Sequence, residues 1–358
     1  MTDALTYVVA ADGSGDFTSI QAAVDAVPDG SQPSHGPRPS HGSQPSHGPR
    51  PSHGPRPTFT LFLRAGVYRE RVIVNKDDLR IVGESREGTR IVYHGCAKDQ
   101  NPDGSERGTF LSYTLLVTGN RVCFQNLTVE NDAGDGLVVG QAMAVYAAGD
   151  CGVWRGCDIL ACQDTLFCGP TMPKVAQDAL PRAVPDGVPS AGDCPPPMNR
   201  QYFEDCFIRG DVDFIFGPYR CWFERCTLFM TARGGWYTAA NTPEDARYGL
   251  VFDRCRLTGE CADGLAYLGR PWRPFARTLF LRCEMDACVS PQGFADWEGG
   301  APVTERCGEY ATTGARADQS LRHPRQKRLT REEAEAITPR AVLGGWLPED
   351  EAQPVAPV

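Results

Sequence analysis

At 358 residues the chain exceeds the usual span of one compact core, but a solenoid grows by adding coils, so a single domain over 1–358 is expected. Its formal charge of -9 and the absence of a dense Lys/Arg stripe exclude the basic footprint that nucleic acid or an anionic membrane requires. Thirty-eight glycines with only 9% aromatics favour short strands and turns over helical bundles, hence an all-β fold.

The opening MTDALTYVVAADG has neither the basic segment nor the apolar run of a signal peptide, and no stretch reaches transmembrane length. A cytoplasmic protein is the expectation, with secretion as the alternative. Thr18 and Ser19 offer caps for a helix in which Ile20, Ala23, Val24 and Val27 share one face, suited to closing a solenoid end. Residues 31–57 repeat PSHG every six positions, placing His35, His41, His47 and His53 in like contexts. With nothing apolar to bury, this insertion is expected to be a disordered surface loop and not a histidine metal tract. Strand-like runs follow, TLFLRAGVYRERVIV at 60–74 and LRIVGES at 79–85.

From about residue 115 a loose repeat emerges: VCFQNLTVEN, VWRGCDIL, YFEDCFIRG, WFERCTLFM, VFDRCRLTG and LFLRCEMDAC. Each unit has an apolar residue, two polar positions, Cys or Asn, and another apolar residue. Cys206, Cys226, Cys255 and Cys283 follow one another at 20, 29 and 28 residues, the period of coils in a β-helix. Equivalent positions stack, so these thiols should form an inward ladder. The count of 15 cysteines is odd and fits buried free thiols better than a disulfide framework. A proline-rich insertion at 169–199 leaves one coil and returns before the next, where it would shape a cleft. Thr330-Arg331-Glu332-Glu333 has capping-box spacing before a final helix, and 350–358 should be frayed.

The chemistry is read from coil spacing. Gln141 and Gln163 are 22 residues apart, one coil, so two amide donors lie side by side. Asp164 follows Gln163, and since consecutive strand residues face opposite ways, one of this pair must lie at a bend. Asp213 lies 49 residues after Asp164; without the proline-rich insertion that is again about one coil, which stacks the two carboxylates. Such a pair pushes its pKa values apart, one group ionised and the other holding a proton. Arg270, two coils further on, can reach Asp213 with a bidentate guanidinium, and Trp272 in LGRPWRP offers a flat platform for a sugar ring. Cys162 and Cys168 flank the Gln-Asp pair with no histidine near and read as filler. Only His94 and His323 lie outside the repeat loop, so no metal site is expected.

An isolated Asp/Arg pair is more often a structural ion pair; the two glutamines at one-coil spacing, together with the wider family resemblance of the chain, point to catalysis instead. A glycosidase would use the same two aspartates but leaves Gln141 and Gln163 without a task. A pectate lyase would need an acidic calcium cluster, which the sequence does not show. An esterase or thioesterase of another substrate is the alternative within the same chemistry, and a β-helical carbohydrate-binding protein with an inert acidic pair is the non-enzyme alternative.

At these residues the sequence resembles the pectin methylesterases. The matching segments are 140–168 (GQAMAVYAAGDCGVWRGCDILACQDTLFC), 210–217 (GDVDFIFG) and 268–274 (LGRPWRP), with weaker matches at ADGSGDFTSIQAAVDAVP, AGVYRERV, NLTVENDAG and LTREEAEAI. The resemblance implies a right-handed parallel β-helix with short capping helices. It implies Asp213 as nucleophile on a galacturonosyl C6 methyl ester, Asp164 as acid and then base, and Gln141 and Gln163 as oxyanion donors. Arg270 would hold Asp213, while Trp272, Tyr68 and Thr109 would contact saccharide. No metal or organic cofactor is implied, and the partner is a methyl-esterified oligogalacturonide or pectin, acted on by a monomer. Short oligogalacturonides are the expected substrate, following the cytoplasmic reading. The chain departs from many plant members at Ala240 and across 108–117.

Overall fold

The computed structural model describes residues 6–28, 59–172 and 199–348. The 31–57 insertion, nearly all of 169–199, and the 350–358 tail lie outside the described residues.

The chain winds through three sheets of parallel strands, each coil hydrogen-bonded to the next. Sheet A has eleven strands, from Thr6–Val9 to Lys327–Arg328. Sheet B has eight, from Gly66–Tyr68 to Glu284–Met285, and sheet C has six, from Val72–Val74 to Thr238–Ala240. One coil reads Gly152–Arg155 in A, Asp158–Leu160 in B and Leu166–Cys168 in C. The expected parallel β-helix is therefore the observed architecture, with short helices packed against it.

The repeat unit explains the corner between sheets A and B. The residue after its first apolar position ends the sheet A strand, and the next takes the left-handed backbone conformation: Asn126, Gly156, Asp205, Arg225, Arg254 and Arg282 all have φ between 52° and 59°. For a side chain other than glycine that conformation costs about 1 kcal/mol. Along the corner the exposed charges knit into a ladder that offsets part of the cost, Arg225 pairing with Glu204, Asp205 and Glu224, and Arg254 with Glu224.

Inside, the apolar residue of each unit stacks on its equivalent one coil away. Phe124, Trp154, Phe203, Phe223, Phe252 and Phe280 form one column, with centroids 4.2–5.8 Å apart and planes within 14° of parallel. Beside it runs the cysteine ladder. Cys226, Cys255 and Cys283 are buried and donate to the carbonyls of Phe203, Phe223 and Phe252 at 3.5–3.6 Å. Every cysteine among the described residues is free, and burial pushes the Cys226 and Cys255 thiols well up, keeping them protonated and inert. Phe223, stacked on both faces, fills space that its neighbours in rigid coils cannot close. Phe223→Ala should destabilise the fold by about 3–5 kcal/mol in urea unfolding; a loss below about 1 kcal/mol would show that the column does not hold the coils together.

The N-terminal end is sealed as the sequence indicates, while the C-terminal helices lie against the outer face of sheet A. The helix Ile20–Ala26 is capped by Ser19, and its first amides, Ile20 and Gln21, also donate to the Glu70 carboxylate at 2.7 and 3.1 Å. Thr330 and Glu333 form the reciprocal capping box of Arg331–Glu335. A further helix, Pro339–Val342, was not legible as such; Thr338 caps it. Ala334, Ile337, Val342 and Leu343 cover the outer face of sheet A over Val251 and Leu279. Among the described residues no helix covers the outer face of sheet C in this way, and the conspicuous carboxylates lie along its edge.

Candidate active site

Sheet C turns an aromatic surface outward. Tyr146, Phe167 and Phe216 occupy matching register positions on three successive strands, with centroids 4.9 and 4.8 Å apart, and Phe110 meets Phe167 at 5.0 Å. Trp272, partly buried, meets Phe216 at 6.1 Å and carries the Arg273 guanidinium 5.2 Å from its own ring. Its amide donates to the Ala240 carbonyl, which anchors the tryptophan over the end of the sheet. Ala240 itself faces the interior of the solenoid.

Asp164 and Asp213 each precede a strand of this sheet by two residues, and the strands pair Leu166 with Ile215. The Asp164 amide donates to the Val212 carbonyl at 3.0 Å, so the two aspartates are register-equivalent on adjacent coils. Both adopt left-handed backbone, with φ of 61° and 54°. This is the bend that adjacency to Gln163 demands. Non-glycine residues in this region concentrate where the surrounding structure imposes them. Gly217, closing the GDVDFIFG segment at φ 126°, has no room for a side chain, since a Cβ there would lie 2.1 Å from the Cys168 carbonyl oxygen.

Arg270 clamps Asp213 with Nε to Oδ1 at 2.9 Å and Nη2 to Oδ2 at 2.7 Å. Its guanidinium lies between two indoles, 3.8 Å from the Trp236 ring centroid and 4.0 Å from that of Trp297. With both faces covered, the cation loses most of its alternative orientations and much of its hydration, which strengthens its hold on the carboxylate. Ala142 donates to the Gln163 carbonyl at 3.1 Å, which brings Gln141 alongside Gln163 across one coil step. Neither carboxamide has a hydrogen-bond partner among the described residues, so both remain available to a ligand.

The two aspartates are 9% and 7% exposed, and their environments differ. Burial pushes the Asp164 carboxyl well above its usual range, the nearby Asp213 charge adds to this, and Arg270 only partly opposes it. Burial also pushes Asp213 up, but the two Arg270 hydrogen bonds hold it back. The last proton is therefore retained on Asp164, leaving Asp213 as the ionised member. A third carboxylate, Asp211, is buried beside them; it accepts from the Val212 amide and lies 3.6 Å from Arg233.

Of the residues singled out from the sequence, the fold brings together Asp164, Asp213, Gln141, Gln163 and Arg270, with Trp272 along the same sheet. Thr109 opens a 3-10 turn whose Phe110 packs on the aromatic surface, so it stands at the groove's border. Tyr68 is a correction. It lies in sheet B, is 3% exposed, and spends its hydroxyl on the Val9 and Arg64 carbonyls, so it is a core residue and not a saccharide contact. Sequence reasoning passed over Trp236, Trp297 and Asp211. Trp236 follows Gly235, whose φ is 145° and where a Cβ would stand only 2.5 Å from the Asp211 carbonyl oxygen. These mark a tight turn, and the GGW string was the available signal.

The Pectinesterase family model matches residues 50–171 and 197–345. The chain belongs to the pectinesterase family. Pectinesterase 31 of Arabidopsis thaliana is 30% identical over 333 residues, covering 91% of this chain and 88% of that protein. The solved pectin methylesterase from carrot is 28% identical with a TM-score of 0.72, covering 99% of this chain and 98% of the other. A pectin methylesterase in complex with hexasaccharide VII is 26% identical with a TM-score of 0.72, covering 95% and 97%. Some relatives are longer: this pectinesterase chain spans 55% of the probable pectinesterase/pectinesterase inhibitor 23 of Arabidopsis thaliana, at 28% identity over 98% of its own length. Family membership makes the chain a carboxylic ester hydrolase, and its solenoid is the right-handed parallel β-helix of these structures.

Proposed function

We propose that this pectinesterase hydrolyses C6 methyl esters of galacturonosyl residues in pectin or oligogalacturonides, through an acyl-enzyme on Asp213. The observation that carries the reading is the asymmetry of the aspartate pair: Asp213 held by two Arg270 hydrogen bonds, Asp164 buried with no cation bonded to it among the described residues. In the first half-reaction an Asp213 oxygen attacks the ester carbonyl, and the oxyanion that forms accepts from the Gln141 and Gln163 amides. As the carbonyl re-forms, the C–O bond to the methoxy group breaks and Asp164 supplies the proton, releasing methanol and leaving an anhydride. In the second, the now ionised Asp164 takes a proton from water, hydroxide attacks the substrate acyl carbon, and Asp213 leaves as carboxylate. The free uronic acid then loses its proton to solvent.

Two further features support a methylated sugar chain as the ligand. Phe110 and Trp272, partly exposed members of the aromatic cluster on sheet C, suit sugar rings. At the other side Gly136 abuts Gln163, and the short helix Gly136–Val139 turns Leu137 and Val138 out, 66% and 71% exposed, as an apolar lip suited to ester methyl groups. The neighbour solved with a hexasaccharide supports an oligosaccharide of that order. Methanol release from methyl-esterified trigalacturonate and from long pectin tests the proposal, and the ratio of the two rates sets the preferred length; absence of methanol from both would remove the assignment.

The assigned roles fix a pH response. Arg270 favours ionised Asp213, so removing it raises the Asp213 pKa further. Arg270→Gln should move the acid limb of kcat/KM to higher pH and lower the plateau by about 100-fold, as loss of a buried charge-assisted pair does. An acid limb that stays in place, or shifts to lower pH, would show that Asp213 is not the group that must ionise.

A further inference from the structure

On the outer face of sheet A, and not on the sheet C face that carries the groove, the C-terminal helices leave a cavity of about 310 Å³. The cations Arg247, Arg277 and Lys327 line it together with Glu332 and Glu333, against an apolar wall of Leu329 and Ile337. Arg277 and Arg306 stack at the starts of neighbouring sheet A strands, whose register pairs Leu279 with Gly308. Arg247 and Arg277 flank Tyr248, at 5.3 and 5.7 Å from its ring centroid. Among the described residues neither guanidinium has a carboxylate within 4 Å or a hydrogen-bond acceptor. The Arg277 Nε is buried without a partner. Arg306 spends its donors on the carbonyls of Pro243, Glu244 and Ala246, which satisfies its hydrogen bonds but leaves its charge unneutralised.

Arg277 is half-buried, and a cation partly taken out of water without a counter-charge is costly; the exposed Arg247 and half-buried Arg306 beside it add repulsion. Burial pulls the Arg277 pKa down, and the neighbouring Arg306 and Arg247 charges pull in the same direction. The nearest acids do not resolve this. Glu333 is engaged by Lys327 at 2.6 Å and by the Thr330 capping box, and Glu332 is exposed at the rim. One side of the wall is apolar, and on the other three cations face two carboxylates, with Lys327 already paired to Glu333, so that Arg247 and Arg277 leave net positive charge, the arrangement of a small-ligand site with one charged end.

We propose that this cavity is an oxyanion-binding site, taking a small carboxylate- or phosphate-bearing ligand between the Arg247 and Arg277 guanidinium groups. It is separate from the groove and independent of the esterase reading. A sugar acid and free phosphate share the recognised chemistry, and the test separates them.

Calorimetric titrations of the full chain with sodium phosphate, galacturonate and neutral galactose, at fixed ionic strength, are compared with those of Arg277→Gln and Arg247→Gln. At least one of the two anions should bind the unaltered protein and bind each variant at least tenfold more weakly, with galactose silent. A response to galacturonate alone names a sugar acid, and a response to phosphate alone names free phosphate. Galacturonate bound in the catalytic groove is common to all three proteins and cancels in the comparison. Both variants should retain methanol release, which shows that they are folded. Equal binding of both anions by the unaltered protein and the variants, or no binding of either anion, overturns the site.

Discussion

Asp213→Asn should leave a folded protein whose kcat for methanol release is lower by about ten-thousand-fold or more, the range found when the nucleophile of a cooperating set is removed. The amide oxygen can still accept one hydrogen bond from Arg270, whose guanidinium stays between Trp236 and Trp297, so the clamp survives while the nucleophile does not. Asp213→Glu sharpens the test. It keeps the charge and the ion pair but carries the oxygens one methylene away from the register position that Asp213 shares with Asp164. A structural ion pair would tolerate that change, whereas a nucleophile would lose about 100-fold or more, because misplacement by about 1 Å has that effect. Near-normal activity in Asp213→Glu would move the reaction to another group.

Asp164→Asn should change activity and stability in opposite directions. Without the proton donor and base, turnover falls by about a thousand-fold or more. Stability moves the other way because Asp164 has a folded-state pKa well above its unfolded value. A raised carboxyl contributes stability that is fully present below its unfolded pKa, near 4, and lost as pH rises through the folded pKa. At pH 8, far above the unfolded pKa, the unaltered protein must either hold a proton on Asp164 against the bulk pH or bury its charge, and the asparagine variant does neither. The variant's Tm should exceed that of the unaltered protein by about 2–5 °C at pH 8, and the gap should close towards pH 4. A gap that widens on acidification would mean that Asp164 is ionised more readily in the fold than out of it, contrary to its assigned role.

Much of this was legible from spacing alone. In a parallel β-helix, register converts sequence period into contact, so Cys226, Cys255 and Cys283 and the aspartate pair could be placed without knowing the strands in detail. The bend at Asp164 followed from its adjacency to Gln163, and it appears as left-handed backbone at both aspartates. What was not legible comes from loops with no period. Trp236 lies 34 residues before Arg270 and Trp297 lies 27 after it, and nothing local in either segment says that two indoles close on one guanidinium. Tyr68 failed for a related reason. Family resemblance aligned it with a saccharide contact, but alternation along Gly66–Tyr68 turns its ring inward, where two carbonyls take its hydroxyl. The helix Pro339–Val342 is too short to show periodicity, and only its Thr-Pro start hints at it.

The central claim is that the Asp164 and Asp213 pair cleaves an ester and not a glycosidic bond. Methanol and new reducing ends, counted together during turnover of methyl-esterified trigalacturonate, test it most directly. The account predicts one methanol for each ester lost and no new reducing ends; reducing ends without methanol would contradict it and assign the carboxylate pair to glycoside cleavage.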